Sequence, residues 1–392
     1  MSLLLGILLA FLVFLIVVVV HEFGHFFTAR LTGMKVLEFW FGLPPLMIKL
    51  YKDAKWTLYS WNWLPIGGFV RILGEDPTGE DAHKKWAFMT RPWAARVLVL
   101  VAGVTMNFLL AFFIFTGLFW NGTSPVTVNP LSDRITNSFF IPSLDEAIYY
   151  GYVQYDGVEI SSVSGSLAEK AGIGSGEILF SINWFHVVHP DQLVEAAKAN
   201  QNLDLILYKD GGHRVVQVTP QDGKIGVHVW FLNLRVNPDF RIKLPFLTAI
   251  QAGAYETYNS SILTLVFLKD LVHGIFAPDT PEEREDAKNM LAGPIGVGAT
   301  FVWLVEVSAP AGLILVIIAL ISINLGVVNL LPIPALDGGR IVTTTFYSLI
   351  VRHNHEWVEK FLKFEKFFHA FGFIFLMGLT VYVAGLDISR FF

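Results

Sequence analysis

Apolar residues in this chain gather in four long blocks, at about 3–27, 94–120, 311–333 and 367–386, and the first holds no charge from Leu3 to Val20. About 20 apolar helical residues reach across the hydrocarbon of a bilayer, so each block predicts a transmembrane helix. The pattern changes between the first two blocks. Val36 to Leu73 is rich in aromatic residues, Pro and Gly, and its pieces Leu46 to Tyr51, Trp56 to Trp63 and Phe69 to Leu73 read as short strands. Asp53 and the run Pro65-Ile66-Gly67-Gly68 separate them. The segment is too apolar for a solvated loop, which favours a hairpin dipping into the membrane; a surface-packed hairpin is the alternative. From about Ser124 to Arg235 the pattern is that of a soluble α/β module. Residues 247–276 hold a short apolar stretch, Ile262 to Leu268, flanked by Glu256, Lys269 and Asp270, and fit either a fifth span or an amphipathic surface helix.

Composition supports a membrane protein with some soluble mass: 54% of residues are hydrophobic, with 34 Phe and 11 Trp. A net charge of -5 gives no reason to expect nucleic acid as a partner. With no cysteine there is no disulfide, thiolate metal site or cysteine nucleophile, so any metal is held by His and carboxylate. The first block lacks a basic flank and a small-residue cleavage site and is read as a retained helix.

Where the first block ends stands His21-Glu22-Phe23-Gly24-His25. Ionisable groups at bilayer depth are costly and mark function by default. Histidines at i and i+4 share one helical face and can hold one metal ion, and the Glu between them reaches a metal-bound water. The bland alternative is a helix end whose polar residues snorkel into the headgroups. Asp337 follows the third block in the same way, in Leu331-Pro332-Ile333-Pro334-Ala335-Leu336-Asp337-Gly338-Gly339, where two prolines break the helix ahead of it. Two histidines, a carboxylate and an open position make the set of a catalytic zinc site, whereas four protein ligands would close a structural one.

Ligands from both blocks meet at one depth only if both helices cross in the same direction. Counting the first three blocks as spans satisfies this, and 247–276 is then an extracytoplasmic surface helix. The positive-inside rule agrees, because Thr28 to Pro92 carries nine Lys and Arg and is thereby cytoplasmic. The soluble module lies on the other side. Its run Ser164-Gly165-Ser166-Leu167-Ala168-Glu169-Lys170-Ala171-Gly172-Ile173, followed by Gly176-Glu177-Ile178-Leu179, resembles the PDZ pattern of bacterial proteases. Glu159–Ser162 and Gly226–Trp230 are the pieces that would flank a peptide groove.

Taken together, the chain resembles the site-2 proteases, zinc-dependent intramembrane proteases, and among them the RseP-like bacterial branch. The resemblance rests on His21 to His25, on Ile66-Gly67-Gly68-Phe69-Val70-Arg71, on Ala102-Gly103 with Asn107, and on Gly293-Pro294-Ile295 ahead of Asn324 to Gly339. It implies that His21, His25 and Asp337 bind Zn2+, that Glu22 is the catalytic base, that Asn329 handles substrate, and that 36–73 is a membrane-reentrant β segment. The edge of that segment, with Gly67, Gly68 and Phe69, would hold an unwound substrate strand. Two departures stand out: one PDZ-like domain where better-known members have two, and Gly103-Val104 where the family often has Gly-Pro.

The expected fold is therefore a polytopic α-helical membrane protein with four transmembrane helices, a reentrant β segment and one extracytoplasmic PDZ-like domain. Its expected parts are 1–35 (first span with H-E-x-x-H), 36–73 (reentrant β), 74–92 (cytoplasmic loop), 93–121 (second span), 122–236 (PDZ-like domain), 237–309 (extracytoplasmic amphipathic helix and loop), 310–339 (third span with the Leu-Asp-Gly motif), 340–366 (cytoplasmic loop) and 367–388 (fourth span). The expected activity is zinc-dependent cleavage, in the bacterial inner membrane, of the transmembrane segments of single-pass proteins such as an anti-sigma factor or a signal-peptide remnant. Two rivals differ in what they leave unexplained. A zinc transporter has no use for Glu22 or the PDZ-like module, and a membrane-anchored PDZ scaffold has none for the buried histidines.

Overall fold

The computed structural model describes residues 2–391 apart from 77–78, 127–137, 143, 200, 210, 238, 292 and 350–354. Parts of five expected segments, the 1–35 span, the 74–92 loop, the 122–236 domain, the 237–309 segment and the 340–366 loop, fall on the remaining residues and lie outside the described ones. The chain divides into two units, Met1–Thr123 with Ile242–Phe392, and Ser124–Arg241.

The first unit is built on helices. α1 (Ser2–Leu31) leads into strands β1 (Val36–Lys52) and β2 (Leu58–Ile72), and α2 (Trp93–Asn121) follows. Three short strands were expected between α1 and α2; there are two long ones, because each strand continues past its Pro and Gly residues. Their pairing explains how. Val36–Phe41 pairs with 68–72 on one side and with 58–61 on the other, and 46–52 pairs with 58–62, so four segments lie side by side and 68–72 forms one edge. Arg30, in the last turn of α1, donates to Asp53 and to Thr57 Oγ1 at the hairpin turn, which pins the sheet to the end of α1.

The second unit carries α3 (Leu144–Tyr149), β3 (Val153–Gln154), β4 (Gly157–Ser162), α4 (Leu167–Lys170), β5 (Glu177–Ile182), β6 (Phe185–His186), α5 (Asp191–Lys198), β7 (Leu203–Lys209), β8 (Gly212–Val218), β9 (Val227–Leu232) and β10 (Arg235–Val236). Its sheet has the order β8-β7-β5-β4-β9, and Val158, Ile160, Leu179, Leu193, Leu205 and Leu207 fill its core. Ser166 caps α4 by accepting the Glu169 N–H at 3.2 Å, while the Glu169 carboxylate accepts the Gly165 N–H at 2.6 Å. Glu159–Ser162 and Val227–Trp230 do not flank a groove, since β4 and β9 are hydrogen-bonded to each other along that whole length. The edge left open beside them is the outer side of β9.

After the second unit come α6 (Phe246–Phe276), α7 (Pro281–Met290), α8 (Pro294–Glu306), α9 (Ala311–Leu330), α10 (Asp337–Leu349) and α11 (His355–Phe391). Among the described residues four helices are long and apolar enough to cross a membrane: α1, α2, α9 and the part of α11 from Trp357 to Arg390. The chain is thus a polytopic membrane protein. α6 is outside that set, yet it is no isolated surface helix: Gly253 meets Thr116 of α2, and Thr264 Oγ1 donates to Asn324 Oδ1 of α9 at 2.7 Å.

Two further expectations differ from what is found. The Leu-Asp-Gly motif is not the end of the third span; Asp337 opens a separate helix, α10. Most described residues of the expected 340–366 loop are helical, in α10 and at the start of α11. The face of α10 that packs inward is Gly338, Gly339, Thr343, Thr344 and Ser348, small and hydroxylated instead of apolar, so no hydrophobic periodicity announces it.

Candidate metal centre

α1 brings His21 and His25 to one face a helical turn apart, turned toward α2 and buried to 6% and 8% exposure. Glycines make that approach possible. A Cβ on Gly24 would lie 2.6 Å from the Ala102 carbonyl carbon, and one on Gly103 would lie 2.6 Å from His25 Cε1 and 2.8 Å from His21 Cε1. The two helices therefore touch backbone to backbone, and both imidazoles lie against Gly103.

The carboxylate arrives from the other end of the unit. α9 stops at Leu330, Pro332 and Pro334 prevent its continuation, and Ala335 turns the chain at φ 73° before α10 begins at Asp337. Asp337 Oδ2 then lies 3.1 Å from His21 Nε2 and 3.3 Å from His25 Nε2, and the two Nε2 atoms are 3.2 Å apart.

Hydrogen-bonding capacity shows what this triangle wants. His25 Nδ1 lies 2.8 Å from the Val99 carbonyl oxygen, which only accepts, so the neutral ring carries its proton on Nδ1 and presents a bare lone pair at Nε2. That lone pair faces Asp337 Oδ2, a buried acceptor that receives no hydrogen bond. Two acceptors held face to face in a buried site call for a cation between them. The ligand spacing around a tetrahedral zinc with bonds of about 2.0–2.1 Å is about 3.3–3.4 Å, close to the three edges found here. The donor set of two histidines and a carboxylate fits that ion.

Beside the triangle opens a cavity of about 380 Å³, and Glu22, Gly67, Gly68, Phe69 and Asn329 all line it. The expected ligands thus meet, and the expected base and substrate residues share their cavity. Gly68 allows the edge strand its approach, since a Cβ there would lie 2.7 Å from Glu22 Cγ and 2.9 Å from Val18 Cγ1. Two lining residues went unnoticed in the sequence, Arg340 and Glu75, which form an ion pair at the cavity wall. Arg340 had a signal, standing three residues after Asp337 and so on the same face of its helix. Glu75 had none, because 265 positions separate it from its partner.

A second group of similar make-up, His273, Asp279 and Glu283, also clusters. It is largely exposed, and its atoms are engaged: Glu283 accepts from the Asp279 N–H at 2.7 Å and lies 2.9 Å from His273 Nδ1 at the start of α7.

Comparison with known proteins finds metalloproteases. The model of peptidase family M50 matches residues 9–379. The chain is 30% identical over 390 residues to a candidate zinc metalloprotease of Fusobacterium nucleatum, covering 96% of both chains. It is 28% identical to a candidate zinc metalloprotease of Clostridium acetobutylicum, over 98% of this chain and 97% of that one. It is 26% identical to the zinc metalloprotease RasP of Bacillus licheniformis, over 97% and 98%.

Proposed function

The chain belongs to peptidase family M50, the site-2 proteases, and is a zinc metalloprotease of the membrane; from its site we propose that it cleaves peptide bonds inside the bilayer, in transmembrane segments of single-pass membrane proteins. The observation that carries this is the buried triangle of His21, His25 and Asp337, set at the end of a membrane span beside a cavity that contains Glu22.

When bound, zinc supplies Lewis acidity toward water and the scissile carbonyl. His21, His25 and Asp337 hold it. Glu22 takes a proton from the attacking water and delivers it to the leaving amine. A helical substrate hides its carbonyls in i to i-4 hydrogen bonds and must unwind before attack. The edge strand 68–72 lines the cavity, and Gly68 lets it run directly past Glu22, so an opened substrate strand adds there next to the base. The Asn329 amide, which also lines the cavity, bonds the substrate backbone. The β segment 36–73 enters the membrane in this reading, since a strand that feeds a site at the end of α1 works at that depth.

The nine basic residues of 28–92 put that loop in the cytoplasm of a bacterial inner membrane and Ser124–Arg241, the PDZ-like unit, outside. Single cysteines at Lys84 and Lys363, in a chain otherwise free of cysteine, should label from the cytoplasm, and one at Lys170 from the opposite side. Opposite labelling of the first two would break the model, because α1 and α9 would then not carry their ligands to one depth. Substrates of the kind implied are single-pass proteins already trimmed outside, such as an anti-sigma factor or a signal-peptide remnant. The activity is tested by purified protein on a transmembrane peptide in detergent. Cleavage should stop with a zinc chelator and return with zinc, while a chelator-insensitive cut would refute the assignment.

A further inference from the structure

The hydrogen bond that orients His25 has a counterpart on His21, and that counterpart is facing the wrong way for a metal ligand. His25 is fixed by the Val99 carbonyl, which accepts its Nδ1–H and leaves Nε2 free. His21 Nδ1 meets the side chain of Asn107, on α2, at 3.3 Å through Nδ2, the donor end of the amide. With a donor there, His21 Nδ1 must be the acceptor and the ring proton sits on Nε2. That proton lies toward His25 Nε2, 3.2 Å away, and occupies the lone pair a metal would need.

At the same time the other end of the amide is stranded. Asn107 is fully buried, and its Oδ1 receives no hydrogen bond. A buried acceptor without a donor costs on the order of 1–3 kcal/mol. The first mismatch vanishes if the amide turns by about 180°, a change that leaves its shape nearly unaltered. Oδ1 then accepts the Nδ1–H of His21, and Nε2 is left bare beside the bare Nε2 of His25. The backbone of Asn107 stays in place during such a turn. Its carbonyl accepts from Ser322 Oγ of α9 at 3.0 Å, and Gly326 packs 3.4 Å from its Cβ measured from an added methyl position.

We propose that Asn107 is the positioning partner of His21, its Oδ1 holding the Nδ1–H so that Nε2 is committed to the metal. This rests on the zinc reading above and adds to it a residue that touches neither metal nor substrate.

The test compares full-length wild type with Asn107→Leu and Asn107→Asp in detergent, reading zinc affinity by competition with a chromophoric chelator and the thermal midpoint of the metal-free chain. Leu fills the space but accepts nothing, and zinc affinity should fall about 10- to 100-fold, the usual cost of losing an outer-shell partner. Asp can only accept, so it should hold zinc within about threefold of wild type or more tightly, a rescue that simple packing would not give. Equal zinc affinity in wild type and Asn107→Leu overturns the proposal, as does equal loss in the Leu and Asp variants. A wild type that takes up no zinc overturns the zinc reading itself and this inference with it. Should the Leu variant fail to fold, Asn107→Ala takes its place, and zinc affinity equal to wild type in that variant refutes the assignment.

Discussion

Among the described residues two groups offer one histidine or more and at least one carboxylate within 4.8 Å, and they teach opposite lessons. At His273, Asp279 and Glu283 the hydrogen bonds to Glu283 are each a donor meeting an acceptor. The Glu283 carboxylate closes the first turn of α7, accepting N–H groups and lying against His273, and its acidity is raised chiefly by the Asp279 N–H and then by His273. At His21, His25 and Asp337 the close approaches include acceptors facing acceptors, in a buried site, drawn from two helices that no local hydrogen bond would bring together. Ligand types at metal spacing are common to both groups. What separates them is whether the geometry is already satisfied without a cation.

The largest expected difference follows directly. His21→Ala or Asp337→Ala should abolish zinc binding and peptidase activity, while His273→Ala and Glu283→Ala should leave one zinc per chain and full activity. Metal analysis of the purified chains beside a cleavage assay reads both. Zinc lost from the His273 variant would mean that exposure and satisfied hydrogen bonds do not discriminate between sites.

A smaller effect should come from glycines. Gly103→Ala pushes a methyl into both imidazoles and should cost about 1–3 kcal/mol of stability as overpacking, with weakened zinc binding. Gly298→Ala in α8 meets nothing within 4 Å and should be neutral or stabilising by up to about 1 kcal/mol. Thermal unfolding and zinc titration distinguish them, and equal behaviour would show that the α1–α2 approach is looser than described.

The buried carboxylate of the second unit sharpens the contrast further, since Glu177 has a cationic partner and needs no metal. Burial alone would raise its pKa, but the Arg214 guanidinium, at 2.7 Å, and the Gly174 N–H outweigh burial and hold it below the usual carboxylate value. A depressed folded pKa contributes stability that is present above the unfolded value, 4.5, and is lost as the pH falls through the folded one. Arg214 is partly exposed, so Arg214→Ala should cost no more than about 1–3 kcal/mol at neutral pH. Hydrogen exchange of the β5 and β7 amides should show that loss at pH 7 and much less of it below pH 4. A pH-independent loss would mean that Arg214 acts through packing alone.

These contrasts also mark what the chain discloses before it folds. The His21 to His25 spacing names a ligand pair because the helix period is local, and the four apolar blocks name spans because the bilayer imposes a length. Asp337 is visible through the two prolines ahead of it. The rest depends on partners far away in sequence. Gly68 and Gly103 matter for what approaches them, Glu22 and the two imidazoles, and a glycine in a sequence names no neighbour. The order of the β segment is hidden because Val36–Phe41 pairs with two separated parts of one later strand. Helix α10 is hidden because its buried face is glycine and hydroxyl groups where an apolar stripe would have been read. The Asn107 contact to His21, 86 positions apart, shows only once α1 and α2 are packed.

The central claim, that the first group is a hydrolytic centre and not merely a metal-binding one, turns on Glu22, which lines the cavity and is no part of the triangle. Glu22→Gln keeps the shape of the side chain and removes the base. Zinc content and cleavage of a transmembrane peptide, measured on the same preparation, should show one zinc per chain with cleavage lowered about 10²- to 10⁴-fold. Undiminished cleavage with zinc in place would contradict the account.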